Sequence, residues 1–231
     1  MKIEIWSDIA CPFCYIGKRK FENALKDFPQ KDKVEIIWRS FQLDPEMKVV
    51  PGQTVHEYLG IRKGTTTEEG KKMSDSMALI ASEAGLEFNF DKTILCNTMN
   101  AHRIVHLAKK HGVQNEMKQA LFAAYYTDGK NIGDNETLVT IGKKVGLDAM
   151  EITKVLEGEE YRNEVIEDQV YAQQIGVQGV PFYVFNEKYA VSGAQPTELF
   201  TEVLNKVWEE EKPAVEIIST GVSCTPAGVC N

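Results

Sequence analysis
The chain has 231 residues, a formal net charge of −8, 43% hydrophobic and 26% charged residues, a globular composition with apolar material enough for a packed core in one or two domains. Its acidic balance argues against nucleic acid and anionic membranes as main partners, since both call for a basic surface, and no apolar run approaches the length of a membrane span. The opening Met1-Lys2-Ile3-Glu4-Ile5-Trp6-Ser7-Asp8 alternates polar and apolar residues and carries acids where a secretory signal needs an unbroken apolar stretch, so a cytoplasmic setting is expected.

Residues 2–7 read as a strand, with Ile3 and Ile5 on one face and Lys2 and Glu4 on the other. A helical pattern begins near Cys11, carries Phe21, Leu25 and Phe28 on one face, and is closed by Pro29. Residues 34–41 are β-branched and aromatic, as in a buried strand, with Trp38 in the core and Arg39 towards a sheet edge. Residues 44–64 hold Pro45, Pro51, Gly52, Gly60 and Gly64, which predicts a loop with at most short helical turns.

From Thr66 to Gly176 the pattern is helical throughout. Thr66 and Glu69 have capping-box spacing ahead of a stripe of Met73, Met77, Ile80 and Ala84 that ends at Gly85. Further stripes are Ile104/Leu107/Ala108, Met117/Leu121/Ala124 and Leu138/Ile141/Val145; Asp148 and Glu151 cap another helix, and Val165, Gln169 and Ala172 share a face on the last. Strand pattern returns at Pro181–Phe185; Asn186-Glu187-Lys188 turns the chain into Tyr189-Ala190-Val191, and Leu199, Phe200, Val203, Leu204 and Val207 mark a final amphipathic helix. The expectation is therefore α/β: one sheet-bearing unit from residues 1–43 and 163–210, an all-helical insertion over 44–162, and a flexible tail over 211–231.

Of five cysteines, four form two close pairs, Cys11/Cys14 and Cys224/Cys230, and in a cytosolic chain such pairs point to redox chemistry or metal binding more than to a structural scaffold. Cys11-Pro12-Phe13-Cys14 falls where the first strand gives way to the first helix. A cysteine there faces unpaired backbone N–H groups and the positive end of the helix dipole, both of which stabilise a thiolate. Pro12 suits the first helical position, and Cys14 lies one turn on, placed to resolve a mixed disulfide at Cys11. The same spacing also fits half of a zinc site, a static disulfide or core cysteines. A second feature, Gly176-Val177-Gln178-Gly179-Val180-Pro181, puts a proline at a strand start. If Val180–Pro181 is cis, Val180 faces the cysteines and can pair with an extended substrate; a plain trans proline is the ordinary alternative.

Three segments, Asp8 to Gly17, Asn97 to Arg103 and Gly176 to Pro181, give the chain a resemblance to the DsbA-like branch of the thioredoxin superfamily. It looks closest to the cytoplasmic FrnE-like group, related to 2-hydroxychromene-2-carboxylate isomerases and kappa-class glutathione transferases. The resemblance covers roughly residues 2–208 and implies a thioredoxin fold with an inserted helical domain. It implies Cys11 as nucleophile, Cys14 as resolving cysteine and Pro181 as a cis proline. Pro12, Phe13, Val180 and Asn97 are implied substrate-binding residues, and Phe13 stands where relatives often have tryptophan. The implied partners are protein or low-molecular-weight thiols and disulfides, glutathione among them, with no cofactor and no metal.

The isomerase and transferase relatives have serine where this chain has Cys11, so the intact pair favours disulfide exchange over a glutathione-dependent isomerase; a peptide-binding holdase is the non-enzymatic alternative. Asp8 reads either as a proton acceptor or as a loop acid accepting backbone N–H groups. Asn97 reads either as a cleft residue or as a helix cap, with His102 and Arg103 facing solvent or a partner helix. Cys96 reads as a small buried hydrophobe, and His56, His106 and His111 have no metal-ligand spacing. Cys224 and Cys230, approached through Ser219-Thr220-Gly221-Val222-Ser223, are expected to act as a second redox pair; idle thiols and a metal clip are the alternatives.

Overall fold
A computed structural model describes residues 1–211. The first strand, β1 (Lys2–Ser7), enters helix α1 (Pro12–Lys26), and the chain returns as β2 (Glu35–Ser40). After six intervening helices, α8 (Arg162–Gln174) leads to β3 (Phe182–Phe185), β4 (Tyr189–Ser192) and α9 (Thr197–Glu211). The four strands form one sheet in the order β2-β1-β3-β4, with β1 and β2 parallel and the other pairs antiparallel. In this register Ile5 lies beside Trp38 on one side and Tyr183 on the other.

Strand alternation decides which helices cover which face. Ile3 and Ile5 join Tyr183, Phe185, Phe21, Phe200 and Leu204 in the main core, where α1 and α9 pack together. Trp6 points to the opposite face, into a smaller cluster with Ala172 and Val177 that α8 covers. Gly17 brings α1 close to β3: a Cβ there meets the Tyr183 hydroxyl at 2.6 Å and Pro181 Cγ at 3.0 Å. Gly17→Ala is expected to destabilise the protein by about 1–3 kcal/mol through overpacking, read as a lower urea midpoint at unchanged slope.

The helices between β2 and α8 are α2 (Val55–Arg62), α3 (Thr67–Glu83), α4 (Met99–Lys110), α5 (Gln114–Phe122), α6 (Asn135–Lys144) and α7 (Ala149–Glu157). Three expectations need correction. The stretch expected to be loop contains α2, nucleated by a reciprocal capping box between Thr54 and Glu57. Its partner α3 buries Gly70, Ser74 and Ala81, while Ile80 is exposed: at Gly70 a Cβ would meet the His56 carbonyl oxygen at 2.0 Å, so small residues form the packing face. Helix is also interrupted over residues 86–98, an irregular run that sends Phe88, Phe90, Leu95 and Cys96 into the core.

Candidate active site
Ser7 ends β1 and Pro12 opens α1, so residues 8–11 turn the chain. Cys11 occupies the N-cap with φ −96° and ψ 112°, and its side chain accepts no capping hydrogen bond. Pro12 is at the start of the helix, where its missing N–H leaves no carbonyl unpaired. The Cys11 N–H donates to the Asp8 carbonyl at 3.3 Å, and the Cys14 N–H to the Cys11 carbonyl at 3.0 Å. Both cysteines are free thiols and both are buried.

The Val180–Pro181 bond is cis, and Cys11 Sγ lies 3.5 Å from the Val180 carbonyl oxygen. Cys11, Cys14, Pro12, Val180 and Pro181 therefore share one place, at the meeting of α1 with the start of β3. Phe13 is 40% exposed beside them. Asn97 stands apart from this group. Its Oδ1 accepts from Gln42 Nε2 at 3.1 Å and from the Met99 N–H at 2.9 Å, and its Nδ2 donates to the Pro45 carbonyl at 3.0 Å. It ties the 42–45 loop to the first turn of α4, and it borders a different surface pocket from Pro12.

The electrostatics are more divided than a helix N-terminus alone suggests. The hydrogen bond to Cys14, burial and the charge Cys14 can carry push the Cys11 thiol well up, and the Asp8 carboxylate adds to this. Asp8 is wholly buried; it accepts from the Leu43 N–H at 2.9 Å, from the Ala10 N–H at 3.4 Å and from His102 Nε2 at 3.2 Å. These contacts are those of the loop acid, a carboxylate that accepts backbone N–H groups across the turn. Burial works against its charge, yet the His102 hydrogen bond and the Leu43 N–H hold its carboxyl below the usual range. Burial in turn pushes His102 down, so its imidazole is neutral.

His102 and Arg103 are buried, not solvent-facing. Arg103 donates to the carbonyls of Val155, Gly158 and Glu160 at the end of α7. Lys118, which the apolar stripe of α5 gave no reason to place inside, has no exposed surface; its Nζ donates to the Ser7 carbonyl at 3.2 Å. No local pattern marks it: Met117, Leu121 and Phe122 line the apolar face of α5, and Lys118 follows Met117 as a solvated lysine would. Cys96 is buried and desolvated, its thiol pushed up to about 12, which makes it inert beside the pair.

A cavity of about 340 Å³ opens beside Asp8, Ala10 and Pro12 and is walled by Tyr58, Met77, Phe90 and Tyr125. Arg62 stands at its edge, held by Asp44 Oδ2 at 2.8 Å and by the Leu43 carbonyl at 2.9 Å. Among the described residues no group of three or more His, Cys, Asp or Glu is placed to hold a metal ion, and no helix is long and apolar enough to cross a membrane. Cys224 and Cys230 lie outside the described residues.

The sequence pattern of the DSBA-like thioredoxin domain family matches residues 2–205. The crystal structure of a probable DsbA oxidoreductase from Streptomyces coelicolor is 39% identical to the chain, covers 100% of it and 98% of its own length, and superposes with a TM-score of 0.86. The uncharacterized protein YwbO of Bacillus subtilis is 26% identical over 205 residues, 88% of this chain and 95% of its own. The cytosolic disulfide reductase DsbM of Pseudomonas aeruginosa, solved with GSH, shares the fold at 14% identity, with a TM-score of 0.65 over 90% of this chain and 100% of its own. With a thioredoxin fold interrupted by a helical insertion and a family match across nearly its whole length, the chain belongs to the DsbA-like thioredoxin family.

Proposed function
We propose that the protein is a thiol–disulfide oxidoreductase whose working pair is Cys11 and Cys14. The observation that carries this reading is the placement of two free thiols at the N-terminus of α1, with Cys11 Sγ against the Val180 carbonyl. In the reductive direction the Cys11 thiolate attacks one sulfur of the partner's disulfide. That S–S bond breaks, and the departing sulfur leaves as a thiolate and takes up a proton. Cys14 then gives up its proton and attacks Cys11, which releases the partner's second thiol. Two electrons have passed to the partner and the pair is a disulfide; the same steps run backwards oxidise a dithiol.

Val180 and Pro181 form the wall against which an extended substrate lies, with Pro12 and Phe13 as its apolar flank. The partners are protein or low-molecular-weight thiols, and the GSH in the DsbM structure supports glutathione among them. A cytoplasmic setting belongs to this reading, as does the division into a sheet unit (1–43 and 163–210) and a helical unit (44–162) with the cavity between them.

Cys14→Ser tests the reading. Turnover of a dithiol–disulfide substrate is expected to fall by at least ~10³-fold, while Cys11 still forms a mixed disulfide. Retained turnover would instead indicate a glutathione-dependent isomerase. A double Cys11→Ser, Cys14→Ser protein that keeps full activity only in suppressing aggregation would indicate a holdase. The same Cys14→Ser protein examines the tail: on mild oxidation a Cys11 mixed disulfide with Cys224 or Cys230 is expected by mass spectrometry, and adducts with glutathione alone would remove the second pair from the mechanism.

A further inference from the structure
Among the described residues two lysines are wholly inside the protein, and they differ in their partners. Lys18, 1% exposed, is paired with Glu22 Oε1 at 2.5 Å and Gln119 Oε1 at 3.0 Å. Lys118, 0% exposed, has no carboxylate within ion-pair distance among the described residues, and its one hydrogen bond goes to the Ser7 carbonyl at 3.2 Å. Its other neighbours are aromatic: Nζ is 5.8 Å from the Trp38 ring centre and 5.5 Å from that of Phe122. A buried ammonium with one neutral acceptor is costly, so a site that keeps one needs an anion nearby in at least one of its working states.

The surrounding elements supply few anions. The loop after β1 brings Asp8, already engaged by His102 of α4 and by backbone N–H groups. Helix α8 brings Asp168, engaged by Arg39, His106 and the Ser40 N–H. Helix α1 brings Cys14 and Cys11. Helix α5 packs on α1 directly after the pair: the Phe122 ring stacks on Tyr15 at 4.9 Å and Gln119 Nε2 donates to the Tyr15 hydroxyl at 2.8 Å, and the charges of Cys14, Asp8, Cys11 and Asp168 all favour protonated Lys118. Of these, the two carboxylates already have cationic and N–H partners, whereas an ionised Cys11 has the Cys14 N–H at the helix terminus and no cation in contact.

Resting on the reading of Cys11 and Cys14 as the redox pair, we propose that Lys118, projecting from the helical insertion, is the buried counter-ion of their thiolate and takes up a proton as the pair is reduced. Reduction of the Cys11–Cys14 disulfide brings in two electrons from a partner dithiol, which becomes a disulfide. Of the two protons bound, one is carried by the remaining thiol and one by Lys118, facing the thiolate. On reoxidation the thiolate is consumed, both protons leave, and Lys118 returns to a neutral amine in its apolar pocket. Burial pushes the Lys118 ammonium down to about 8, within reach of such an exchange at neutral pH.

Lys118 is a positioning residue for charge, so the test reads charge. In reduced Lys118→Met, thiolate absorbance is expected to titrate about one pH unit higher than in the wild type. The Cys11–Cys14 couple should become about tenfold less oxidising against glutathione, which is about 30 mV. The melting temperature should stay the same or rise, because an unpaired buried charge gives way to an apolar chain of similar length. Lys18→Met is the control for a buried lysine that already has a carboxylate partner, Glu22, and should leave the thiolate titration in place. If Lys118→Met titrates like the wild type while the wild type turns over disulfides, the counter-ion role is wrong and the oxidoreductase reading stands. If Cys14→Ser retains turnover, the reading itself has failed. If Lys118→Met is misfolded, Lys118→Arg decides: retention of the wild-type thiolate titration supports the role, and its loss in a folded Lys118→Arg protein overturns it.

Discussion

Asp168→Ala is expected to cost about 3–5 kcal/mol of stability and to lower the melting temperature by roughly 10 °C, the size of effect seen when one partner of a buried ionic network is removed. Asp168 is 3% exposed and ties α8 to two strands at once. Oδ1 accepts from Arg39 Nη1 at 2.8 Å, and Oδ2 accepts from the buried Ser40 N–H at 2.7 Å and lies 3.2 Å from His106 Nε2. Burial opposes its charge, but the hydrogen bonds from His106 and Ser40 outweigh burial and hold the carboxyl below the usual range. Truncation leaves the Ser40 N–H without its acceptor in the interior. Arg39 is left with Glu4 alone, which it meets through Nε at 2.9 Å and Nη2 at 2.5 Å. The backbone bond from Trp6 Nε1 to the residue 168 carbonyl, 2.9 Å, survives, so the loss should be thermodynamic without unfolding α8. Asp75→Ala is the contrast: its partner Lys71 is as exposed as it is, and the change should stay within about 0.5 kcal/mol. Equilibrium urea unfolding measures both. An Asp168→Ala loss below 1 kcal/mol would show that the network is held by its other members.

What periodicity and composition made visible was the sheet unit. Ile3/Ile5, Phe21/Leu25 and Leu204/Val207 repeat with the strand or helix period because each element buries one face against a large common core. The start of α1 was legible for a different reason: helix N-termini have strong local requirements, and Pro12 announces one, which places Cys11 at the N-cap. The insertion was less legible where packing depends on small residues. Gly60 and Gly70 look like breakers but are the points where α2 and α3 touch, and the Thr54/Glu57 box that starts α2 was hidden among them. Least legible were polar contacts across long separations. Asp8 meets His102 and Lys118 meets Ser7 because of where the insertion lands, and Asp168 meets Arg39 because of how α8 packs on β2; none of these pairings follows from local pattern. A buried lysine on an amphipathic helix carries no local mark that separates it from a solvated one.

Asp8→Asn is expected to change both the acid stability of the protein and the ionisation of its thiols, in predictable directions. The Asp8 carboxylate accepts from Ala10, Leu43 and His102, so His102 carries its proton on Nε2 and leaves Nδ1 buried without a partner. An amide has one acceptor oxygen. With that oxygen kept for the Leu43 N–H, the amide N–H₂ faces His102 and forces its proton onto Nδ1, where it has no acceptor; the cost is about 1–3 kcal/mol. The pH dependence follows from the shifts. His102 is pushed down by burial, so its contribution is full above the unfolded value of about 6.5 and is lost as pH falls towards its lower folded value. Asp8 is also held low, so its contribution is full above about 3.9 and is lost as pH falls through its lower folded value. The variant keeps the first decline, deepened because the Asp8 hydrogen bond that raised His102 is gone, and lacks the Asp8 part of the second. The thiols respond with the opposite sign: Asp8 is one of the charges pushing Cys11 up, so its removal should move the thiolate absorbance of the reduced protein to lower pH. Urea midpoints between pH 3 and pH 8, with thiolate absorbance followed on into the alkaline range where the Cys11 thiol ionises, measure both effects. A thiolate titration that moves upward would mean that Asp8 acts on the pair chiefly by keeping Lys118 charged, since Asp8 also favours the Lys118 ammonium.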